Sequence, residues 1–220
     1  MDLVLGPYTV AITGAVADVT ERHRMPMVAA NVASIHGTGR RFLFGMASPA
    51  EVYLEGLIDL AAKKGLKTVA LIDRDLGNVR ATIPSAIDLA KKKGLRVAFV
   101  DAFPPETTDF STILTRVRAA NPDVLGVVTN TLEDGVAITR QMKALNVNPR
   151  MVGLTAGVDL PKFYEVLGRD AEFVYGATAW VPELVELRAG GLIPIARQYP
   201  RGAGIRRVLQ EGVPRRRSLR

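Results

Sequence analysis

Cysteine is absent from this chain, which removes disulfides, thiolate metal sites and cysteine nucleophiles together and fits either a cytosol or a periplasm. Histidine is nearly absent: His23 and His36 are the only two. His23, in "ERHRMP", reads as a solvated residue at a helix end, and His36 lies in a glycine-containing loop, so the expectation is no metal site and no cofactor. Aromatic residues make up 6% of the chain, and Trp180, Tyr164 and Tyr175 form no stacking stripe of the kind single-stranded nucleic acid needs. No apolar run approaches the roughly 18 residues that span a bilayer. The opening "LVLGPYTVAITGAVA" has an Ala-x-Ala end at Ala15 and Ala17, but Asp2 stands where a basic segment is required and Pro7 interrupts the run, so no signal peptide is expected in this chain.

A charge excess is also missing from most of the chain. The formal net charge is +7, yet eight arginines and one acid, Glu211, lie from Arg197 onward and account for all of it. The first 196 residues are neutral overall, so no basic footprint for nucleic acid is expected. Motifs that carry catalysis are absent too: there is no P-loop, no G-x-S-x-G elbow, no H-E-x-x-H and no G-x-G-x-x-G. Asp73 and Asp75, in "DRD" at a strand end, read as a solvated turn rather than an acidic pocket.

What the chain does have is 48% hydrophobic residues arranged as short runs of Val, Leu and Ile between amphipathic stretches. This pattern predicts an α/β fold of parallel strands flanked by helices. Strands are expected at residues 3–5, 27–30, 42–46, 68–72, 97–100, 124–129, 151–154 and 173–177. The clearest helix follows "SPAEVYLEGLIDLAAKKG", with Ser48 as cap, Pro49 at the first helical position and Glu51 closing a capping box. Val52, Leu54, Leu57, Ile58 and Ala61 would form its buried stripe, and Lys63, Lys64 and Gly65 its end. "IDLAAKKGL" from Ile58 recurs as "IDLAKKKGL" from Ile87, two copies that solve one packing problem and fall short of a solenoid. In "TTDFSTILTRVRAANPD" Thr108 can cap, Phe110, Ile113, Leu114 and Val117 form the stripe, and Asn121 with Pro122 stops the helix. From about residue 183 the pattern gives way to a loop-rich segment.

Open α/β sheets bind ligands at the carboxyl ends of their strands. In "VLGPYTVAIT" the strand ends at Gly6, Pro7 turns the chain and a helix begins near Thr9. A hydroxyl and backbone N–H groups there suit a carboxylate, and equally make an ordinary helix cap.

Several segments, "DLVLGPY", "MPMVAA", "TTDFSTILTRVRAANPDVLGVV", "ITRQMKALNVNPRMVGLT" and "YGATAWVPELVELRAGGLIPIARQYP", resemble in order and spacing the branched-chain amino-acid (Leu/Ile/Val-type) substrate-binding proteins of ABC importers. The resemblance runs from about Asp2 to Pro200 and implies a type I periplasmic-binding-protein fold. It implies an incomplete N-lobe at 1–46, most of the C-lobe at 47–182, and a loop-rich and arginine-rich segment at 183–220. The members of that family are longer, so this chain resembles their middle, and its sheet edges are expected to favour aggregation or a partner. By resemblance the protein is a non-catalytic, periplasmic or extracytoplasmic receptor. It would hold an amino acid or similar small carboxylate or amide between two lobes and deliver it to a membrane permease. The implied ligand residues are Tyr8 and Thr9, in the loop that grips a carboxylate, with Val10 replacing a second hydroxyl. Ala33 and Ser34 follow on the second N-lobe loop, and Thr129, Asn130, Thr155 and Ala156 lie at C-lobe strand ends.

The tail departs from the family, which has a lysine-rich and aromatic helix after this point. A synonymous coding of Ile205 to Arg217 read one nucleotide later gives "FVASYKKEFPGA", so the tail is expected to be a frameshift product. Two other function classes stay open: the effector-binding domain of a transcription regulator or cytoplasmic sensor, which shares the fold, and a small α/β enzyme with Asp73 or Asp101 at strand ends as its acid.

Overall fold

Alternating apolar positions on the strand Thr68–Arg74 account for the main layer arrangement. A computed structural model describes residues 3–7, 10–30, 39–46, 50–75, 82–172 and 174–177, and Tyr8, Thr9, Ala33, Ser34, His36, Trp180 and the arginine-rich tail lie outside them. The described residues fall into two units, the first ending at Met46 and the second beginning at Ala50.

The second unit holds a five-stranded parallel sheet built from β4 (Thr68–Arg74), β5 (Arg96–Phe103), β6 (Val124–Val128), β7 (Met151–Leu154) and β8 (Val174–Gly176), in the order β5-β4-β6-β7-β8. Its helices are α2 (Glu55–Lys63), α3 (Thr82–Lys92), α4 (Ser111–Ala120), α5 (Leu132–Ala144) and α6 (Pro161–Leu167). Successive strand side chains point to opposite faces. Val69 and Leu71 of β4, with Val124 and Val128 of β6, pack under Leu57, Ile58 and Ala61 of α2 and Ile83, Ala86 and Ala90 of α3. Ala70 and Ile72, with Leu125 and Val127, pack under Ile113, Leu114 and Val117 of α4, Ile138 of α5 and Phe163 of α6. Both faces are thus buried, which is why β6 reads as an unbroken apolar run. Gly153 on β7 allows α2 its close approach, since a Cβ there would lie 2.6 Å from Leu57 Cδ2.

The repeated nonapeptide forms the ends of α2 and α3. Gly65 and Gly94 take φ of 72° and 79°, Leu66 and Leu95 are buried behind them, and their N–H groups return to Ala61 O and Ala90 O at 3.1 and 2.9 Å. This is the six-to-one closure of a left-handed helix end. Asn121 ends α4 in the same left-handed region, at φ 43°.

Two helix starts differ from expectation. Within the described residues a 3₁₀ turn at Ala50–Val52 precedes α2, which begins at Glu55 with Leu54 in the cap position and no side-chain cap. The helix start expected at Pro49 is thus displaced to Glu55. Val52 is exposed because the tighter turn breaks the 3.6-residue period, and the stripe aligns only from Leu54 onward. Ser48 and Pro49 lie outside the described residues. Thr108 does not cap α4. Phe110 holds that position, buried, with its N–H donated to Gln141 Oε1 at 2.6 Å, while the Asp109 carboxylate accepts from Ser111 N at 2.9 Å. That backbone hydrogen bond holds the Asp109 carboxyl below its ordinary range.

The first unit is a three-stranded parallel sheet, β1 (Val4–Leu5), β2 (Met27–Ala29) and β3 (Leu43–Gly45), in that order, with α1 (Val10–Arg22) between β1 and β2. Ala17, Met27, Ala29 and Leu43 form its core. The Glu21 carboxylate accepts the N–H groups of Arg41 and Phe42 at 2.8 and 2.9 Å, and Arg40 pairs with Asp18 at 2.6 Å, which fixes the approach to β3. His23, just past α1, is exposed, as the sequence suggested.

Candidate functional site

Strand order locates the candidate site. The chain leaves β4 through α3 to the edge strand β5, and leaves β6 through α5 to β7 on the other side. The connections therefore part between β4 and β6, and such a reversal opens a crevice at the carboxyl ends of the strands. Asp73 of β4 is in register with Val128 of β6, and Val127 with Leu154 of β7. Arg74, Thr129 and Thr155 consequently share this end of the sheet.

The structure brings Thr129, Asn130, Thr155 and Ala156 together, two on the loop after β6 and two on the loop after β7. The Thr155 hydroxyl accepts from Thr129 N and donates to Thr129 O, both at 3.0 Å. The Thr129 hydroxyl accepts from Ala156 N and donates to Ala156 O, again both at 3.0 Å. Each hydroxyl thus satisfies one N–H and one carbonyl of the opposite loop, so neither loop leaves these backbone groups unpaired. Thr129 is 2% exposed, whereas Asn130 is exposed and Thr155 and Ala156 are half-buried. Gly157, at φ 85°, packs against the start of α5: a Cβ there would lie 2.7 Å from Leu132 Cα. Only glycine meets both demands.

Beneath Asn130 lies a buried charge pair that sequence reasoning missed. Arg74 Nη2 donates to Asp134 Oδ1 and Arg74 Nη1 to Pro105 O, with the guanidinium 5.6 Å from the centre of the Phe103 ring. Its Nε is buried without a hydrogen-bond partner among the described residues. Asp134, 5% exposed, is the third residue of α5. Its Oδ2 accepts from Asn130 N and Thr131 N, each at 3.3 Å, and its own N–H reaches the Thr131 hydroxyl at 3.2 Å. This is a capping box. The signal was present in "TLED", a threonine followed three residues later by an acid.

The "DRD" segment is therefore not a solvated turn. β4 continues through Arg74, Asp73 pairs in the sheet, and Asp75 N donates to Phe103 O at 2.8 Å. Asp101 lies on the edge strand β5 and forms an ion pair with Arg116, whose guanidinium sits 5.2 Å from the Phe99 ring centre. Tyr164 and Tyr175 are partly exposed, and Tyr164 stands edge-on to Phe163 at 5.8 Å. Among the described residues no group of three or more His, Asp or Glu side chains forms a metal-binding cluster, and no helix is long and apolar enough to cross a membrane. Chemically, the strand ends offer neutral hydrogen-bonding groups on two loops that are locked to each other.

Residues 1–190 match the profile of a protein family described as "Periplasmic binding protein". Solved structures are similar in fold. A leucine-binding protein from Thermotoga maritima MSB8 matches with a TM-score of 0.71 and 20% identity, over 94% of this chain and 57% of that one. An extracellular ligand-binding receptor from Rhodopseudomonas palustris HaA2 matches with a TM-score of 0.65 and 17% identity, over 79% and 49%. A solute-binding protein of an R. palustris ABC transporter, in complex with 4-hydroxybenzoate, matches with a TM-score of 0.64 and 20% identity, over 74% and 46%. The chain thus spans about half the length of these structures.

Proposed function

The chain belongs to the periplasmic binding protein family, and on that premise we propose that it acts as a solute-binding receptor for a small carboxylate or amide, most simply an amino acid. The ligand is held at the carboxyl ends of β6 and β7 and released unchanged. The observation that carries this reading is the reciprocal locking of Thr129 to Thr155 and Ala156, beside the exposed Asn130. Both hydroxyls are spent on the loops, so the loops are set before a ligand arrives and little ordering cost remains on binding. Asn130 then provides an amide that can both donate to and accept from a carboxylate, ammonium or amide group. Two of the similar structures have names that point to small carboxylates, leucine and 4-hydroxybenzoate. In this reading the receptor works outside the cytoplasm and passes its ligand to the permease of an ABC importer, binding being coupled to a shift in conformation.

The test is calorimetric titration of the purified chain with L-leucine, other neutral amino acids, 4-hydroxybenzoate and benzoate, followed by recovery of the ligand. Saturable one-to-one binding of a panel member is expected, with the ligand recovered intact and binding weakened about tenfold in Asn130→Ala. Chemical conversion of the ligand, or binding indifferent to Asn130→Ala and Thr155→Val, would sink the reading.

A further inference from the structure

The crevice between β4 and β6 is where an open α/β sheet would seat a ligand, yet in this protein the Arg74–Asp134 pair bridges it. A buried pair is a weak reason for stability, because desolvation offsets much of the attraction. Its other contacts give it a different part. Arg74 belongs to β4, and one guanidinium reaches both the β5–α4 loop, at Pro105 O, and α5, at Asp134. While one oxygen of Asp134 takes Arg74, the other takes the N–H groups of Asn130 and Thr131. Thr129, next in the chain, is locked to Thr155 and Ala156. The contacts run unbroken from Arg74 through Asp134 to the loops of two strands.

We propose that Arg74 is a positioning residue: through Asp134 it sets the backbone of Asn130 and Thr131, and so holds the ligand-contacting loop in its binding geometry without touching the ligand. Three features argue for arginine here. Its planar fork satisfies two acceptors on different elements at once; the Phe103 ring backs its flat face; and its charge is opposite to that of the carboxylate it meets. A lysine would neutralise Asp134 but could not reproduce the fork. The inference rests on the proposed ligand reading for its importance, while the positioning itself is measurable without any ligand.

The experiment is amide hydrogen exchange on the unliganded full chain, wild type against Arg74→Met and Arg74→Lys. Arg74→Met is expected to speed exchange about tenfold at Asn130 and Thr131 relative to Val127 and Val128 of β6, a local opening rather than a global one. Arg74→Lys should show the same pattern more weakly, and it serves as the deciding variant if Arg74→Met does not fold. Uniform acceleration across strand and loop, or no change at Asn130 and Thr131, would overturn the proposal. So would failure of both variants to fold, since the pair would then be a requirement of folding. A second arm titrates the same proteins with L-leucine and 4-hydroxybenzoate. Weaker binding by about tenfold in Arg74→Met, alongside the loop change, is the expected result. If the exchange pattern appears and neither probe binds wild type, the ligand reading fails for these probes while the positioning role stands. Loop loosening with unaltered binding of a probe would overturn the link to the ligand.

Discussion

Leu71 and Ile72 are neighbours on β4, point to opposite faces, and are both fully buried; in the first unit Leu5 is 81% exposed although Val4 beside it is half-buried. In the second unit helices cover both faces of the sheet. In the first, Met27, Ala29 and Leu43 form one face's core, while Leu5, Val28 and Phe44, aligned across the three strands, lie on the other with Leu5 open to solvent. The two units use the same strand-and-helix grammar, and the difference shows that apolar patterning specifies which residues seek burial but not that they find it. An all-parallel sheet normally has both faces covered. Among the described residues, Leu5 is the most exposed large apolar side chain.

The comparison is broken most strongly by truncating each core in turn. Phe163→Ala should cost about 3–5 kcal/mol, whereas Leu43→Ala, in the smaller core of the first unit, should fall near the low end of the range, about 2 kcal/mol. Urea denaturation followed by segment-resolved exchange checks this, and equal costs would contradict the contrast. Gly157→Ala comes next, at about 2 kcal/mol, from an unfavourable φ and a clash with Leu132 combined. Its exchange signature should be confined to the loops after β6 and β7.

A smaller effect lies at the opposite end of the second sheet. Asp123 Oδ2 accepts from Lys67 N at 2.9 Å and from Thr68 N and the Thr68 hydroxyl at 3.0 Å, and the Lys67 backbone bond first, then those of Thr68, hold its carboxyl below the ordinary range. A carboxyl with a lower pKa folded than unfolded contributes stability above the unfolded value, about 3.9, and loses it as pH falls through the folded one. Asp123→Asn should therefore cost about 1 kcal/mol near neutrality and little at pH 2, measured by denaturation across that range. The smallest effect on folding belongs to Leu5→Lys, expected within about 0.5 kcal/mol of wild type. Light scattering should nonetheless show reduced self-association, because the substitution charges the exposed face.

Much of this was readable beforehand, and the exceptions share a cause. The eight strands among the described residues fall where apolar runs predicted them, because burial on a parallel sheet demands such runs. The left-handed ends after Lys64, Lys93 and Ala120 were legible because glycine and asparagine have few reasons to stand there. What was not legible depends on residues far apart in sequence. Arg74 looked solvated because its acceptors, Asp134 and Pro105, arrive from other elements. Nothing in the sequence marks Gly157, because Leu132 is brought to it only by the fold. Thr129 and Thr155 could be marked as strand ends from sequence, but not that each hydroxyl would be consumed by the other's loop. The start of α2 was misread because its cap was placed before a 3₁₀ turn that local propensity does not announce.

Whether the carboxyl ends of β6 and β7 hold the ligand, as proposed, is tested most directly by an amide-resolved NMR titration of the full chain with L-leucine and, separately, 4-hydroxybenzoate. Saturable shifts concentrated at Thr129, Asn130, Thr155 and Ala156 are expected, with the Asp123 end of the same strands unmoved. Saturable shifts centred elsewhere, with these four residues silent, would contradict the proposal.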